Sequence, residues 1–197
     1  ESITSRGLDK YVEEEFYKPM KAYRTMFTPI RKYSENEIIP TVTDDCLRGA
    51  KEICGYTQDE VAAFMGGVAG EAGLFSSASD LFRIYQMLLN GGELEGKRYF
   101  KASTVKLFTT MRSSISHRGL GFDRPNWKRP NESPCIAQAP AQCYGHSGFT
   151  GPNVWVDPVN KLVYIFLCNR VSPYPWNNVL NEIGVWKKKK KAIYDSL

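Results

Sequence analysis

The order of hydrophobic patterns along this 197-residue chain predicts an α+β fold. Apolar residues recur with helical spacing in the first half, a strand pattern begins at Tyr144, and an amphipathic stretch closes the chain. This order of helices, antiparallel strands and a last helix differs from the regular strand–helix alternation that builds a parallel sheet. With 42% hydrophobic and 24% charged residues, the composition is that of an ordinary globular domain.

Helical periodicity marks four segments. The clearest helix follows Ser77-Ala78-Ser79-Asp80, which has the form of a capping box with Asp in place of Glu, and ends at Asn90-Gly91-Gly92. Residues 7–18 and 101–112 are predicted to form two further helices. The fourth helix, within residues 176–197, is expected to bury a broad stripe made of Trp176, Leu180, Ile183, Trp186 and Ile193.

Strand patterns are concentrated after Tyr144. Three features predict a hairpin at the centre of a sheet: apolar alternation around Trp155, a turn at Asp157–Asn160 and the apolar run Leu162–Cys168. The second strand of this hairpin is expected to be fully buried, because its residues are β-branched, aromatic or apolar without interruption. Residues 119–122 are predicted to form a short additional strand.

The remaining segments show little periodicity. Residues 19–60 are expected to be irregular with at most a short helix, and residues 123–143, with four prolines, to form a long loop. The glycine-rich residues 66–73 have neither the Gly-Lys-Ser/Thr ending of a phosphate loop nor a preceding strand. They are therefore expected to serve close backbone packing.

The net charge of +5 equals the charge of the single run Lys187–Lys191, so the rest of the chain sums to zero. A nucleic-acid-binding surface needs positive charge spread over a face, whereas this run is predicted to be the solvated end of a helix. We therefore expect no nucleic acid as partner.

Cysteine and histidine patterns predict neither metal nor cofactor binding. The five cysteines form no Cys-x-x-Cys pair and fit no zinc spacing. Cys168 is expected to be buried. Disulfide bonds are possible, but the spacing does not predict any. Of the two histidines, His117 is expected at the surface. His146 lies among small residues before the hairpin, where a substrate or another backbone could come close, although a lone histidine is more often structural. Ser147 is adjacent and should point to the opposite face, so the two are not expected to form a nucleophile–base pair.

Several motifs in fixed order resemble the β-lactamase family in its broad sense, which includes class C β-lactamases, D,D-carboxypeptidases and related serine esterases. The helix Leu8–Met20 is similar to the family's helix that ends in Pro-Leu-Gly-Met, although Lys21 replaces that glycine. The other matching segments are Gly66–Leu81, Gln86–Gly92, Gly119–Phe122, Gly145–Gly151, Asp157-Pro158 and Leu167–Val171.

The resemblance implies a site for acyl transfer. The family's nucleophile lies in Ser-x-x-Lys and is followed by Tyr-x-Asn, and both motifs are expected to precede Glu1. The third motif, Lys-Thr-Gly on a strand beside the active site, has the form His-x-Gly in many esterase-like members, and His146-Ser147-Gly148 matches that form. By this resemblance His146, Ser147, Gly148 and Phe149 line the acyl-binding site, and the Phe149 N–H is one donor of the oxyanion hole.

Residues 1–197 are thus expected to be the C-terminal portion of one serine hydrolase domain acting on an ester, peptide or lactam, inactive without the preceding portion. The partners implied are that missing portion, a peptidoglycan-like or small-molecule substrate, an upstream glycoside hydrolase domain as in some relatives, and a second copy bound through exposed apolar surface. The family implies a periplasmic or secreted location. The alternative is a non-catalytic binding domain that keeps the fold.

Overall fold

The computed structural model of the chain describes residues 1–45, 49–129 and 133–197. Cys46 and residues 130–132 of the predicted loop lie outside this description. The chain divides into two compact units, which are treated separately: Glu1–Leu81 with Cys168–Val179, and Phe82–Leu167 with Leu180–Leu197.

The first unit consists of short helices and two small two-stranded antiparallel sheets. Its elements are α1 (Leu8–Val12), which continues as a π-helical turn (Glu13–Tyr17), β1 (Met26–Phe27), two 3₁₀ turns (Pro29–Arg31 and Glu35–Glu37), β2 (Pro40–Asp45), β3 (Ala50–Cys54), α2 (Glu60–Phe64), β4 (Leu74–Phe75) and the start of α3 (Ala78–Leu89). β1 pairs with β4 and β2 pairs with β3, both antiparallel. The predicted helix over residues 7–18 is confirmed by α1 and its continuation.

The hairpin of β2 and β3 corrects the expectation that residues 19–60 are irregular. Thr41, Val42 and Thr43 are β-branched and favour a strand, yet the threonines hide the apolar alternation. Among the described side chains of the two strands, the buried apolar ones are Val42 and Ile53, so the hydrophobic pattern is too sparse to detect.

The glycine-rich segment packs as expected. Gly73 has a φ of +102°, and a Cβ placed on it would lie 2.6 Å from the Gly67 carbonyl oxygen. A Cβ on Gly67 would in turn lie 2.8 Å from the Tyr56 ring. Side chains at these positions would force the backbone apart, so the glycines serve close packing.

Asp80 has a different role from the predicted capping box. The Ser77 hydroxyl accepts a 3.3 Å hydrogen bond from the Asp80 N–H, which is half of that motif. The buried Asp80 carboxylate instead accepts hydrogen bonds from the Arg24 N–H at 2.6 Å and the Thr25 hydroxyl at 3.2 Å. It thereby ties the start of α3 to the chain that follows α1.

The second unit is built around a three-stranded antiparallel sheet. Its elements are the rest of α3, the hairpin β5 (Glu93–Leu94) and β6 (Lys97–Arg98), α4 (Ala102–Thr109), β7 (Tyr144–Ser147), β8 (Asn153–Asp157), β9 (Leu162–Phe166), the end of α5 (Val179–Glu182) and α6 (Val185–Tyr194). The strand order is β7-β8-β9. The predicted strand at residues 119–122 is wrong: the Gly119 N–H donates to the Phe122 carbonyl in a turn, and a single bridge to the sheet follows at Asp123.

The predicted hairpin is present, but its two strands differ in burial. All five residues of β8 are buried, whereas in β9 only Tyr164 is. The expectation that Leu162–Cys168 is a fully buried strand is therefore wrong, and Cys168 is only half-buried. In the described part of the chain β9 is an edge strand, so the apolar run has a packed face and a more exposed one.

The C-terminal region forms two helices instead of one. Gly184 lies between α5 and α6 with a left-handed φ of +61°, a conformation that interrupts a helix. Two members of the predicted stripe are exposed: Trp176, which precedes α5, and Ile183, which lies in the break between the two helices.

Lys190 corrects the interpretation of the lysine run as wholly solvated, since its side chain is only 2% exposed. Its ammonium nitrogen lies 4.5 Å from the ring centre of Trp155, 5.0 Å from that of Trp186 and 5.3 Å from that of Tyr164. We call this arrangement the Lys190 cage. Aromatic faces attract a cation and partly offset its loss of hydration.

Burial still dominates the protonation of Lys190, because removal from water disfavours its charged form. It lowers the pKa of Lys190 from 10.5 to about 7, while the nearby thiols of Cys135 and Cys143 act in the opposite direction. The folded chain therefore loses this proton near neutral pH, whereas the unfolded chain keeps it until about pH 10.5.

This difference predicts a pH-dependent contribution to stability. Because the unfolded chain binds more protons between about pH 7 and 10.5, the free energy of unfolding should rise across this window by ~3–5 kcal/mol relative to Lys190→Met. Denaturant unfolding of both proteins at several pH values measures the difference, with the exposed Lys188→Met as matched control. Parallel stability curves for wild type and Lys190→Met would contradict the proposed burial of this amine.

Candidate active-site strand

The candidate site is the segment from β7 into the turn before β8. Tyr144 anchors the strand: its buried ring packs edge-on against Phe122, with the ring centres 5.4 Å apart. Burial raises the pKa of Tyr144 well above its usual value, so this phenol stays neutral. β7 pairs with β8 so that Gly145 lies opposite Trp155 and His146 opposite Val154.

Gly145 is required by close packing on β8. A Cβ at this position would lie 2.1 Å from the Val154 carbonyl oxygen and 2.9 Å from the Trp155 ring. On its other side, Gly145 exchanges two backbone hydrogen bonds with Asp123, at 2.8 and 3.0 Å. Since backbone groups alternate in direction along a strand, the N–H of Ser147 faces the same outer edge as that of Gly145.

His146 is exposed at this edge. Its Nδ1 lies 2.9 Å from the Ser147 carbonyl oxygen, a contact in which a protonated Nδ1 donates. That tautomer leaves Nε2 as an acceptor, and a doubly protonated ring would present Nε2–H as a donor. The contact is with the Ser147 backbone and not with its hydroxyl, as expected for neighbours that do not form a nucleophile–base pair.

The residues after His146 form a tight turn. The Ser147 hydroxyl accepts a 2.5 Å hydrogen bond from the Asn153 amide. The Gly148 N–H donates to the Pro152 carbonyl at 2.8 Å, and the Gly151 N–H donates to the Gly148 carbonyl at 3.0 Å. Phe149, at the tip, has 62% of its surface exposed. All four predicted site residues are thus contiguous on one strand end and turn.

The segment that pairs with β7 also brings charged residues that the sequence pattern did not single out. The buried Asp123 carboxylate is 2.7 Å from the Arg118 guanidinium and 3.9 Å from His117 Nε2. His117 is half-buried, with 29% of its side chain exposed, so it lies only partly at the surface. In the sequence, Asp123 simply follows Gly119–Phe122. That segment has no strand periodicity, so nothing in the sequence identifies Asp123 as a neighbour of the sheet.

The described residues contain no cluster of three or more His, Cys, Asp or Glu side chains able to hold a metal ion. Their helices are also too short or too polar to cross a bilayer.

Comparison with known proteins identifies the family. The β-lactamase family model matches residues 1–182. The chain belongs to the β-lactamase family. Its α+β architecture, with small antiparallel sheets and a C-terminal helix, therefore has the fold class expected from the resemblance.

Individual relatives extend beyond the matched region. "Putative D-alanyl-D-alanine carboxypeptidase" of Escherichia coli (strain K12) is 36% identical over 181 residues, which cover 86% of this chain and 42% of that protein. The protein of the same name from Salmonella paratyphi B is 35% identical with the same coverage. The chain thus spans less than half the length of these curated relatives. A solved structure titled "putative beta-lactamase from Bacteroides dorei DSM 17855" aligns over 91% of this chain and 51% of its own, with 13% identity and a TM-score of 0.46.

The packing at Gly145 generates a prediction about the candidate site. Gly145→Ala places a methyl group against the β8 backbone, so we expect a loss of roughly 1–3 kcal/mol or more of stability. Gly148→Ala is the matched control, because its added Cβ would meet nothing closer than 3.4 Å. Urea unfolding of both variants measures the difference, and equal stabilities would show that the tight β7–β8 register is wrong.

Proposed function

We propose that the chain is the C-terminal portion of a serine hydrolase domain that forms an acyl-enzyme, and that β7 and the following turn line its acyl-binding site. Membership of the β-lactamase family supports acyl transfer through a serine. The observation that carries the site assignment is the register of β7, which directs the Ser147 N–H to the outer edge beside the exposed His146.

A strand edge suits this chemistry. Backbone N–H groups held by a sheet keep their direction during the reaction, so they stabilise a developing oxyanion without rearrangement. Strand alternation gives the N–H groups of Gly145 and Ser147 the same direction, and the Gly145 N–H is already bonded to the Asp123 carbonyl. In the turn that follows β7, we assign the Phe149 N–H as one oxyanion donor, as the resemblance to the family implies.

His146 takes the position where the family motif has lysine. A histidine in its charged form can donate from Nε2 to a substrate carboxylate or carbonyl, but it does not hold a permanent charge as lysine does. This change favours ester or peptide hydrolysis over lactam hydrolysis. The names of the 36% and 35% identical relatives favour a peptide ending in D-alanyl-D-alanine as substrate.

The proposed partners follow from the same assignment. The nucleophile and its lysine come from a preceding portion of the same domain, whose strands and helices cover apolar surface of the chain such as Phe64, Met65 and Ile115. We also propose that a glycoside hydrolase domain lies upstream and that the isolated chain associates with itself. The proposed location is periplasmic or secreted.

The first test concerns the isolated chain. Because nucleophile and general base are assigned to the preceding portion, residues 1–197 alone should not hydrolyse p-nitrophenyl acetate, nitrocefin or a D-alanyl-D-alanine peptide above buffer. Adding the preceding portion as a separate polypeptide should restore turnover, and replacing the serine of its Ser-x-x-Lys should abolish it. Turnover by the isolated chain that disappears on mutating one of its own residues would contradict the proposal, and a full-length protein without turnover would favour a binding domain.

The second test concerns His146 in the full-length protein. His146→Ala should lower kcat/KM by roughly ten- to a thousandfold, the range for lost polar stabilisation or positioning, with little change in Tm. The side chain is exposed, so its removal leaves no cavity. The exposed Lys161→Ala, in the turn at the other end of the hairpin, is the control. If His146→Ala matches wild type on the best substrate, the site assignment is wrong.

A further inference from the structure

The turn between β7 and β8 is closed by a side-chain contact as well as by backbone hydrogen bonds. Ser147 and Asn153 stand opposite each other at the last pairing of the two strands, so their side chains lie on the same face of the sheet. The Asn153 amide donates a hydrogen bond to the Ser147 hydroxyl. Residues 148–152, with Phe149 at the tip, form the turn between this pair. The contact therefore spans the mouth of the turn.

Asn153 is a costly residue at this position. It is 2% exposed, and its Oδ1 has no hydrogen-bond partner among the described residues. An amide oxygen buried without a donor costs free energy, whereas an apolar side chain of the same shape does not. The next three residues of β8, at positions 154–156, are all buried and apolar. Among the described contacts, the bond from Asn153 Nδ2 to Ser147 is what an apolar residue could not supply.

The turn itself is built from residues that give it little rigidity. Its backbone hydrogen bonds run from the Gly148 N–H to the Pro152 carbonyl and from the Gly151 N–H to the Gly148 carbonyl. Gly151 has a φ of +115°, a conformation that suits glycine, and glycines are the residues with the greatest backbone freedom. Phe149 is 62% exposed, so its ring adds little packing. A turn of this composition keeps one conformation only if its two ends are held firmly.

We propose that Asn153 is a positioning residue of the acyl-binding site, a role that rests on the proposed function. By holding the Ser147 side chain, it fixes the turn 148–152 in the conformation that directs the Phe149 N–H at the developing oxyanion. Such a donor accelerates the reaction because it is already in place when the charge forms. Asn153 is buried, so it acts on the substrate only through Ser147 and the turn.

Steady-state kinetics of Asn153→Leu in the full-length protein test the proposal. Leucine has nearly the shape of asparagine but cannot bond to Ser147. We expect kcat to fall roughly three- to thirtyfold, less than the hundredfold or more that follows outright loss of an oxyanion donor. KM should change little, because the donor acts mainly in the transition state. Tm should stay close to that of wild type, because the unpartnered Oδ1 is removed together with the hydrogen bond.

Two further variants separate positioning from stability. In Asn153→Asp the carboxyl group can bond to the Ser147 hydroxyl in either protonation state, while its burial lowers stability. This variant should therefore have a higher kcat than Asn153→Leu despite a lower Tm. Asp157→Ala is the matched control, because Asp157 is an equally buried polar residue at the other end of β8. It should lose stability and keep the kcat of the folded fraction.

Amide hydrogen exchange measures the turn without reference to activity. The Gly148 N–H, bonded to Pro152, should exchange about two- to tenfold faster in Asn153→Leu and in Ser147→Ala, the range for loss of one hydrogen bond. The double variant should exchange no faster than either single variant, because both remove the same contact. The Gly145 N–H, bonded to Asp123, is the reference that should not change. If the Asn153 variants do not fold, Ser147→Ala alone provides this measurement.

Several results would overturn the positioning role and leave the proposed function intact. They are an unchanged kcat in Asn153→Leu, a kcat that follows Tm across Asn153→Leu, Asn153→Asp and Asp157→Ala, and Gly148 exchange that is the same in wild type and Ser147→Ala. A wild-type full-length protein without turnover of esters or peptides would instead refute the proposed function, and the positioning role with it.

Discussion

The second unit depends on the contact between Gly145 and Trp155. Because Gly145 has no side chain, the Trp155 ring lies directly against β7. The same ring lies 4.5 Å from the Lys190 ammonium, on the helix that packs on the sheet. One aromatic side chain on β8 therefore connects the strand carrying His146 to α6. The fully buried β8 is the central strand, and its position fixes the neighbours on both sides.

Local signals in the sequence predicted those elements that are stabilised by their own residues. The helix after Ser77, the helix near Val105 and the turn at Asp157 all have caps, apolar stripes or turn residues that act within a few positions. The hairpin of β2 and β3 was missed because its strands bury little apolar surface and rely on threonine. Gly184 shows a further limit: one left-handed residue divides the predicted helix into α5 and α6.

The candidate site was predictable only as a segment. The motif around His146 predicts a segment that the structure places on β7 and in the following turn, and glycine at 145 indicated the close approach to β8. What covers the outer edge of β7 could not be predicted, because 21 residues of proline-rich chain without periodicity separate Asp123 from its partner Gly145. The neighbouring Arg118 and His117 are brought to the strand by that pairing alone. Contacts of this kind depend on the tertiary fold and leave no local pattern.

The lysine run shows that a run of charged residues does not establish solvent exposure when the helix that carries it packs on a sheet. Five consecutive lysines cover more than one turn of a helix, so at least one of them must point inward when one face of the helix packs on the sheet. Here Trp186 and Lys190, four positions apart, share that inner face. An apolar residue at position 190 would avoid the loss of hydration, and replacing buried charges by apolar groups is often neutral or stabilising. Here three aromatic rings surround the buried ammonium instead.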